Sequence, residues 1–400
     1  MTAFGPPLYR DMLHREDIKP QALDEWVDGL LDVGIPSVQY AVRRHGELVV
    51  SAATGYHDRE QRHATRGSMY VLLSSTKALT VLVMLMLRDR GYFDWDDRIS
   101  AYWPEFAAEG KQDVTIRHVI SHRAGLSPEP AGTSWAWWRD REQTARQVAS
   151  LGLRWEPGTS VGYHNRTWGM MLDELAWRMT GRRVGELLHG EILRPIGIED
   201  LHLGYSDRKV DQRLLRIASP ASPVSSDQAA TTGVDQAQEF RPRIGGEDNP
   251  FNAAELLRLP LAFGTAVGSA EAASDAASFL SGCGLHRSHR IFSVDVFREA
   301  RERQDAPGDV DQTLGAPADW GLGLQLDIFQ KVPGLRNAVG HAGGRTVVVF
   351  GDPSSGVSGA CILGGVGHDS SAALFDRKAP TRWPVTFAEA VAADLGLSSE

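Results

Sequence analysis

Thr346-Val-Val-Val-Phe350, Asp352-Pro-Ser-Ser-Gly356 and Val357-Ser-Gly-Ala-Cys-Ile-Leu363 read as two strands joined by a hairpin loop. Just before them, Gly321-Leu-Gly-Leu-Gln-Leu-Asp-Ile328 alternates in polarity and predicts a third strand. The other end of the chain has a matching signal. Val38-Gln-Tyr-Ala-Val42 and Leu48-Val-Val50 flank Arg44-His-Gly-Glu47, a second predicted hairpin. Helical spacing covers 21–33, Ser75 to Arg90 (stopped by Gly91) and 384–395, while Ser68 to Leu73 reads as an extended entry. Between the terminal strands, helices are predicted over 115–122, 141–151, 166–181, 183–193, 268–281 and 293–303. Glu156-Pro-Gly158 and Arg194-Pro-Ile-Gly197 punctuate them. Strands at both ends with helices between predict an α+β fold, an α/β sandwich. Its antiparallel sheet is drawn from both termini and flanked by helices. Residues 1–95 and 310–400 would form this discontinuous sheet domain. Residues 96–309 would form an inserted, mostly helical domain with a long surface loop at 219–250.

Composition narrows the classes of function. The 400 residues are 42% hydrophobic and 23% charged, an ordinary globular balance. The formal charge of −9 argues against nucleic acid as a partner, because phosphate binding wants a basic face. Cys283 and Cys361 are the only cysteines, too few for a disulfide framework or a four-thiolate zinc site. The N-terminus has no apolar core of a secretory signal, and the longest apolar run, Val81 to Leu87, is far short of the ~20 residues a span needs. A soluble, cytoplasmic protein with no membrane partner is expected. Only six of the 42 basic residues are lysines: Lys19, Lys77, Lys111, Lys209, Lys331 and Lys378.

That scarcity draws attention to Ser74-Ser75-Thr76-Lys77. Residues at i and i+3 share a helix face, with β-carbons ~5–6 Å apart. A serine hydroxyl is a poor nucleophile until a base takes its proton, and a lysine with a lowered pKa can be that base. A helix N-terminus adds backbone N–H groups for a developing oxyanion. The segment behind, Ala78 to Leu87, is apolar all round, so the helix and its lysine should be buried. A capped helix start with a surface lysine would use the same four letters. Ser206-Asp207-Arg208-Lys209 repeats the pattern with no apolar helix behind it and reads as surface loop.

Two further elements complement this one. In Tyr163-His164-Asn165, a tyrosine near an ammonium can shuttle protons, and the asparagine can hydrogen-bond a lysine or a substrate amide. The bland alternative is a turn in which Asn165 caps the next helix. In His341-Ala342-Gly343-Gly344, before a strand beginning at Arg345, glycines let a ligand lie along a strand edge. A free N–H near Gly344 can be a second oxyanion donor, and His341 can bind a carbonyl or tune the lysine–tyrosine pair.

One rival nucleophile exists. Gly158-Thr159-Ser160-Val161-Gly162 fits the Gly-x-Ser-x-Gly elbow, which needs a buried strand before it and a helix straight after. Trp155-Glu156-Pro157 in front reads as a turn instead. Trp135 and Trp138, in a cluster with Trp137, are candidates to line a substrate cleft, although such clusters are more often packing. His118 and His122 stand at i, i+4, but no carboxylate pattern completes a metal site. No phosphate loop or dinucleotide fingerprint occurs, so no cofactor or metal is expected.

Taken together, these elements resemble the serine β-lactamase and penicillin-binding-protein superfamily. The likeness is greatest to its class C branch and the related family VIII esterases and transacylases. Ser-x-x-Lys near residue 75, Tyr-x-Asn about 90 residues on and His-x-Gly before a late strand carry the resemblance, over roughly residues 20–395. Val114 to Leu126, Trp155 to Thr159 and Phe263 to Ala273 resemble its connecting segments. The resemblance implies that Ser74 is acylated and that Lys77 and Tyr163 move protons. It also implies that Asn165 supports Lys77 and that the oxyanion sits between the N–H groups of Ser74 and Gly344. His341 stands where penicillin-binding members carry lysine, which points toward the esterase-like relatives. The expected activity is acyl transfer from a small-molecule ester or amide to water, an amine or an alcohol. The alternatives are a β-lactamase or D-peptidase, and, from another class, a non-catalytic binding protein on the same fold.

Overall fold

The computed structural model describes residues 10–56, 62–128, 135–217, 250–317, 319–326, 328–365 and 382–397, with backbone alone at Trp135 and Pro250. Its architecture follows from two hairpins that meet side by side. The chain enters through β1 (Arg10–His14), α1 (Gln21–Asp32), β2 (Ser37–Arg44) and β3 (Glu47–Gly55), then α2 (Thr76–Asp89). It continues through α3 (Thr167–Thr180) and α4 (Ala270–Ser281), and closes with β4 (Val339–Gly343), β5 (Val347–Asp352), β6 (Val357–Leu363) and α5 (Trp383–Asp394). The strands form one antiparallel six-stranded sheet in the order β1-β3-β2-β6-β5-β4. Ala41 on β2 faces Ala360 on β6, so the two chain ends join at the middle of the sheet.

Both faces of the sheet are covered, which explains the unbroken apolar run at 346–350. Val347 and Val349 point into the core that holds α2 and α4. Val348 and Phe350, one residue out of phase, point into the core beneath α1 and α5. On that second face Leu23, Val27 and Leu30 of α1 are buried at i, i+4 and i+7. Asp394 of α5 accepts the N–H groups of Ala22 and Leu23 at 2.9 Å each, satisfying the orphan donors of the first turn of α1. On the first face α4 lies so close that a Cβ built on Gly351 would stand 2.6 Å from the Ser281 nitrogen.

Several sequence expectations need correction. The described residues of 321–328 form no strand. Gly323 has φ +82°, and the chain turns there with Leu322 and Leu324 buried in the core. Among the described residues of this stretch Gln325 alone pairs with the sheet by backbone, exchanging hydrogen bonds with Gly340 at 3.0 and 3.3 Å. Leu-Gly-Leu alternation mimics the strand period, but the positive φ breaks it. The strand expected from Arg345 starts at Val347, and His341 to Gly343 belong to a separate edge strand, β4. The turn between them has φ +52° at Gly344 and +66° at Arg345, and Thr346 N–H donates to the Gly343 carbonyl at 3.0 Å. Two positive central residues give the type I′ sense that suits strand twist. The loop expected over 219–250 lies outside the described residues except for the backbone of Pro250.

Two glycine substitutions separate packing from propensity. Gly351→Ala should destabilise by about 1–3 kcal/mol, because its methyl meets the α4 backbone. Gly29→Ala, exposed within α1 with nothing within 4 Å of the added carbon, should stabilise by about 0.5–1 kcal/mol. Urea denaturation of both variants reads these opposite shifts.

Candidate active site

The site forms where α2 begins beneath the edge strand. Leu73 has φ +48°, a left-handed turn that brings the chain from a short extended segment into a 3-10 turn over Leu73–Ser75 and then α2. Every residue from Ser68 to Leu87 is buried except Ser74, which is half-buried. The start of α2 is laced down on two sides. Thr76 Oγ1 accepts the Ala266 N–H at 3.1 Å, and Thr80 Oγ1 donates to the Ala262 carbonyl at 2.7 Å. On the other side Ser75 Oγ donates to the His341 carbonyl at 2.8 Å. Gly343 lies so near that a Cβ there would stand 2.5 Å from the Leu72 carbonyl oxygen, 2.7 Å from the Ser75 nitrogen and 3.0 Å from the Ser74 nitrogen. Only a glycine permits this approach.

Lys77, the second residue of α2, is 0% exposed. Its ammonium donates to the Asn165 carbonyl at 2.9 Å and the Phe263 carbonyl at 3.1 Å. It also stands 4.9 Å from the centre of the Tyr163 ring and 5.8 Å from that of Trp168. Sequence reasoning expected an Asn165 side chain beside the lysine; it is the backbone carbonyl that accepts. Nor does Asn165 cap α3, which starts at Thr167 after Arg166.

Tyr163 lies in a packed aromatic group. Trp320 stacks on it at 5.7 Å and 12°, His122 lies 4.8 Å away and His341 5.9 Å away. In sequence His122 reads only as half of a metal pair. Instead its Nδ1 accepts the His164 N–H at 3.2 Å, while His118 caps a short helix, Ile116–Ile120, so the two serve different ends. Among the described residues no cluster of three metal-ligating side chains occurs. Burial, aided by His164, Lys77 and His341 nearby, holds His122 well below its ordinary pKa and therefore neutral. Burial lowers His164 to about 4, partly opposed by the Gly162 carbonyl.

The remaining candidates fall at different distances from this centre. Ser160 sits in turn and coil over 154–165, without the strand–turn–helix that an elbow requires. Ser206 and Lys209 belong to a surface helix start capped by Asp207. Trp138 is buried edge-on against Phe263 at 5.4 Å. It lines a shallow cleft with Arg141, Asp173, Glu174 and Phe263, the residue whose carbonyl accepts from Lys77. Trp135 begins the 3-10 turn Trp135–Arg139, and its side chain is outside the described structure. Sequence reading missed Asp311, a buried carboxylate that accepts the Tyr163 backbone N–H at 3.0 Å. No helix among the described residues is long and apolar enough to cross a membrane.

Comparison with known proteins bears on the fold and the kinship of the chain. A family model described as Beta-lactamase matches residues 23–376. Esterase/beta-lactamase LipL of Mycobacterium tuberculosis is 27% identical over 339 residues, 80% of this chain and 75% of its own length. A penicillin-binding protein homologue from Caulobacter crescentus superimposes with a TM-score of 0.80 at 26% identity, covering 96% of this chain and 100% of that one. A family VIII carboxylesterase gives 0.81 at 22% identity, with the same coverage, and shows the likeness of fold alone.

The neutral histidines predict acid sensitivity. The unfolded chain protonates His164 near pH 6.5, the folded protein only near pH 4. Between these values the unfolded state binds more protons, so stability is full above pH 6.5 and is lost as pH falls toward 4. His164 alone should account for about 3 kcal/mol of that loss. Urea unfolding at pH 7 and 4.5 measures it. His164→Gln should flatten the profile, and an unchanged slope would refute the assignment.

Proposed function

The chain belongs to the beta-lactamase family, and we propose that it is a serine acyl-enzyme hydrolase or acyltransferase acting on a small-molecule ester or amide. The observation that carries the reading is the pairing of Ser74, the one residue in the stretch 68–87 that is not buried, with a fully buried ammonium, Lys77, three residues further on at the start of α2. Ser74 Oγ attacks the substrate carbonyl, and its proton passes to the Lys77–Tyr163 pair, where the acceptor is the Tyr163 oxygen, ionised as a phenolate beside the Lys77 ammonium. The tetrahedral oxyanion is held by the N–H groups of Ser74 and Gly344, and the close approach of Gly343 to the Ser74 nitrogen supports that placement. Collapse expels the leaving group, which takes a proton back through Tyr163, and leaves the acyl group on Ser74. Water, or an amine or alcohol, then attacks this ester by the reverse proton route and frees the serine.

Asn165 serves this scheme through the carbonyl that anchors Lys77. His341 holds the helix start through its own carbonyl, and its ring closes one side of the Tyr163 pocket. With histidine at this place the edge strand carries a buried imidazole where an ammonium would otherwise be. This favours ester substrates over penicillin carboxylates.

The test is covalent. A fluorophosphonate probe should add one equivalent of mass to wild-type protein and to Ser160→Ala, and none to Ser74→Ala. Labelling of Ser74→Ala at the wild-type level would move the nucleophile elsewhere. Tyr163→Phe should lower kcat on p-nitrophenyl esters by ~10²–10⁴-fold. A panel of increasing acyl length, run with and without amine acceptors, separates hydrolysis from transfer and sizes the pocket.

Gly343→Ala provides a second test. Its methyl would push β4 off the start of α2, so kcat should fall ~10–100-fold while the fold survives. Wild-type turnover would show that this contact does not position the donors.

A further inference from the structure

Asp311 is 1% exposed, lies in an irregular segment 148 residues beyond Tyr163, and uses both carboxyl oxygens. Oδ1 accepts the backbone N–H groups of Tyr163 at 3.0 Å, Thr313 at 2.9 Å and Leu314 at 2.9 Å. Oδ2 accepts the indole N–H of Trp320 at 3.2 Å. All four partners are donors, the set an ionised carboxylate satisfies. Trp320 in turn stacks on the Tyr163 ring at 5.7 Å and 12°. One side chain therefore grips Tyr163 twice, by its main chain and by the ring laid over it. The next residue adds a tie, as Gln312 N–H donates to the Val161 carbonyl at 2.9 Å. Trp320 is itself pinned, because its backbone N–H donates to Asp305 Oδ1 at 2.7 Å.

We infer that Asp311 is a positioning residue for the reaction, setting where the Tyr163 hydroxyl stands relative to Ser74 and Lys77. The inference rests on the proton role proposed for Tyr163. A phenol oxygen sits at the end of a long side chain, so a small tilt of backbone or ring displaces it far. A misplacement of about 1 Å in a reacting group can cost ~100-fold in rate. Asp311 touches neither substrate nor reacting atoms in this scheme; it acts through Tyr163.

Asp311→Asn is the discriminating change. It keeps the side-chain shape but replaces one acceptor oxygen with an NH₂ donor. Either way round, that donor faces an N–H, of Trp320 or of the Tyr163–Leu314 group, and one grip must release. The experiment is a double-mutant cycle of Asp311→Asn with Tyr163→Phe, reading kcat and KM on p-nitrophenyl acetate, with thermal melts to certify folding. Asp311→Asn should lower kcat ~10–100-fold and leave KM within about threefold. In the Tyr163→Phe background the same change should cost less than about twofold, since the residue it acts through is gone. An equal loss in both backgrounds, or wild-type kcat in folded Asp311→Asn, overturns the inference. Full turnover by Tyr163→Phe alone overturns the proton role and this inference with it. If Asp311→Asn does not fold, Trp320→Phe keeps an aromatic ring over Tyr163 but removes the indole donor. It should lower kcat ~3–10-fold in the parent and leave the Tyr163→Phe variant unchanged, and equal losses would again overturn the claim.

Discussion

An ammonium group buried away from water must be surrounded by acceptors, and this requirement organises the centre of the molecule. Lys77 reaches two carbonyls, those of Asn165 and Phe263, from segments nearly a hundred residues apart, and two aromatic faces complete its surroundings. Leaving one such partner unmade would strand a charge in a low-dielectric interior at a cost of several kcal/mol. The Tyr163 segment, the 262–266 segment and α2 are thus bound to a common point. The edge strand joins them through Ser75 and Gly343.

The electrostatics around that point are simplified by burial. His122 and His164 are held neutral, so neither sets a second positive charge beside Lys77 at neutral pH. Their cost is deferred to acid, where the unfolded chain takes up protons that the folded one refuses. Asp311 accepts four N–H donors with its two carboxyl oxygens. The Trp320 ring stacks on that of Tyr163, whose ring in turn lies 4.9 Å from the Lys77 nitrogen.

Much of this was legible in the sequence, for physical reasons that can be named. The hairpins at 38–50 and 346–363 announced themselves because strands buried on both faces are β-branched and uninterrupted. The buried helix after Ser74 was legible because it is apolar on every side. Residues 321–328 misled because glycine alternating with leucine has a strand's period without a strand's dihedrals. β1 went unseen because its five residues, Arg-Asp-Met-Leu-His, earn their place by pairing with β3 and carry no apolar face of their own. The acceptors of Lys77 are backbone carbonyls, which every residue owns, so no letter could mark them. Asp311 left no local trace either, since its partners are main-chain groups and an indole brought to it by the fold.

The junction of β2 with β6 has a consequence for how the molecule is made. Ser37–Arg44 forms one side of the central pairing and Val357–Leu363 the other, so the middle of the sheet cannot close until more than three hundred further residues have left the ribosome. At ~5–20 residues per second that is roughly 15–60 s in which the first hairpin holds an open, hydrophobic edge. Such long-range pairing folds slowly and invites the wrong neighbour. Nascent-chain chaperones would meet this protein at its second strand.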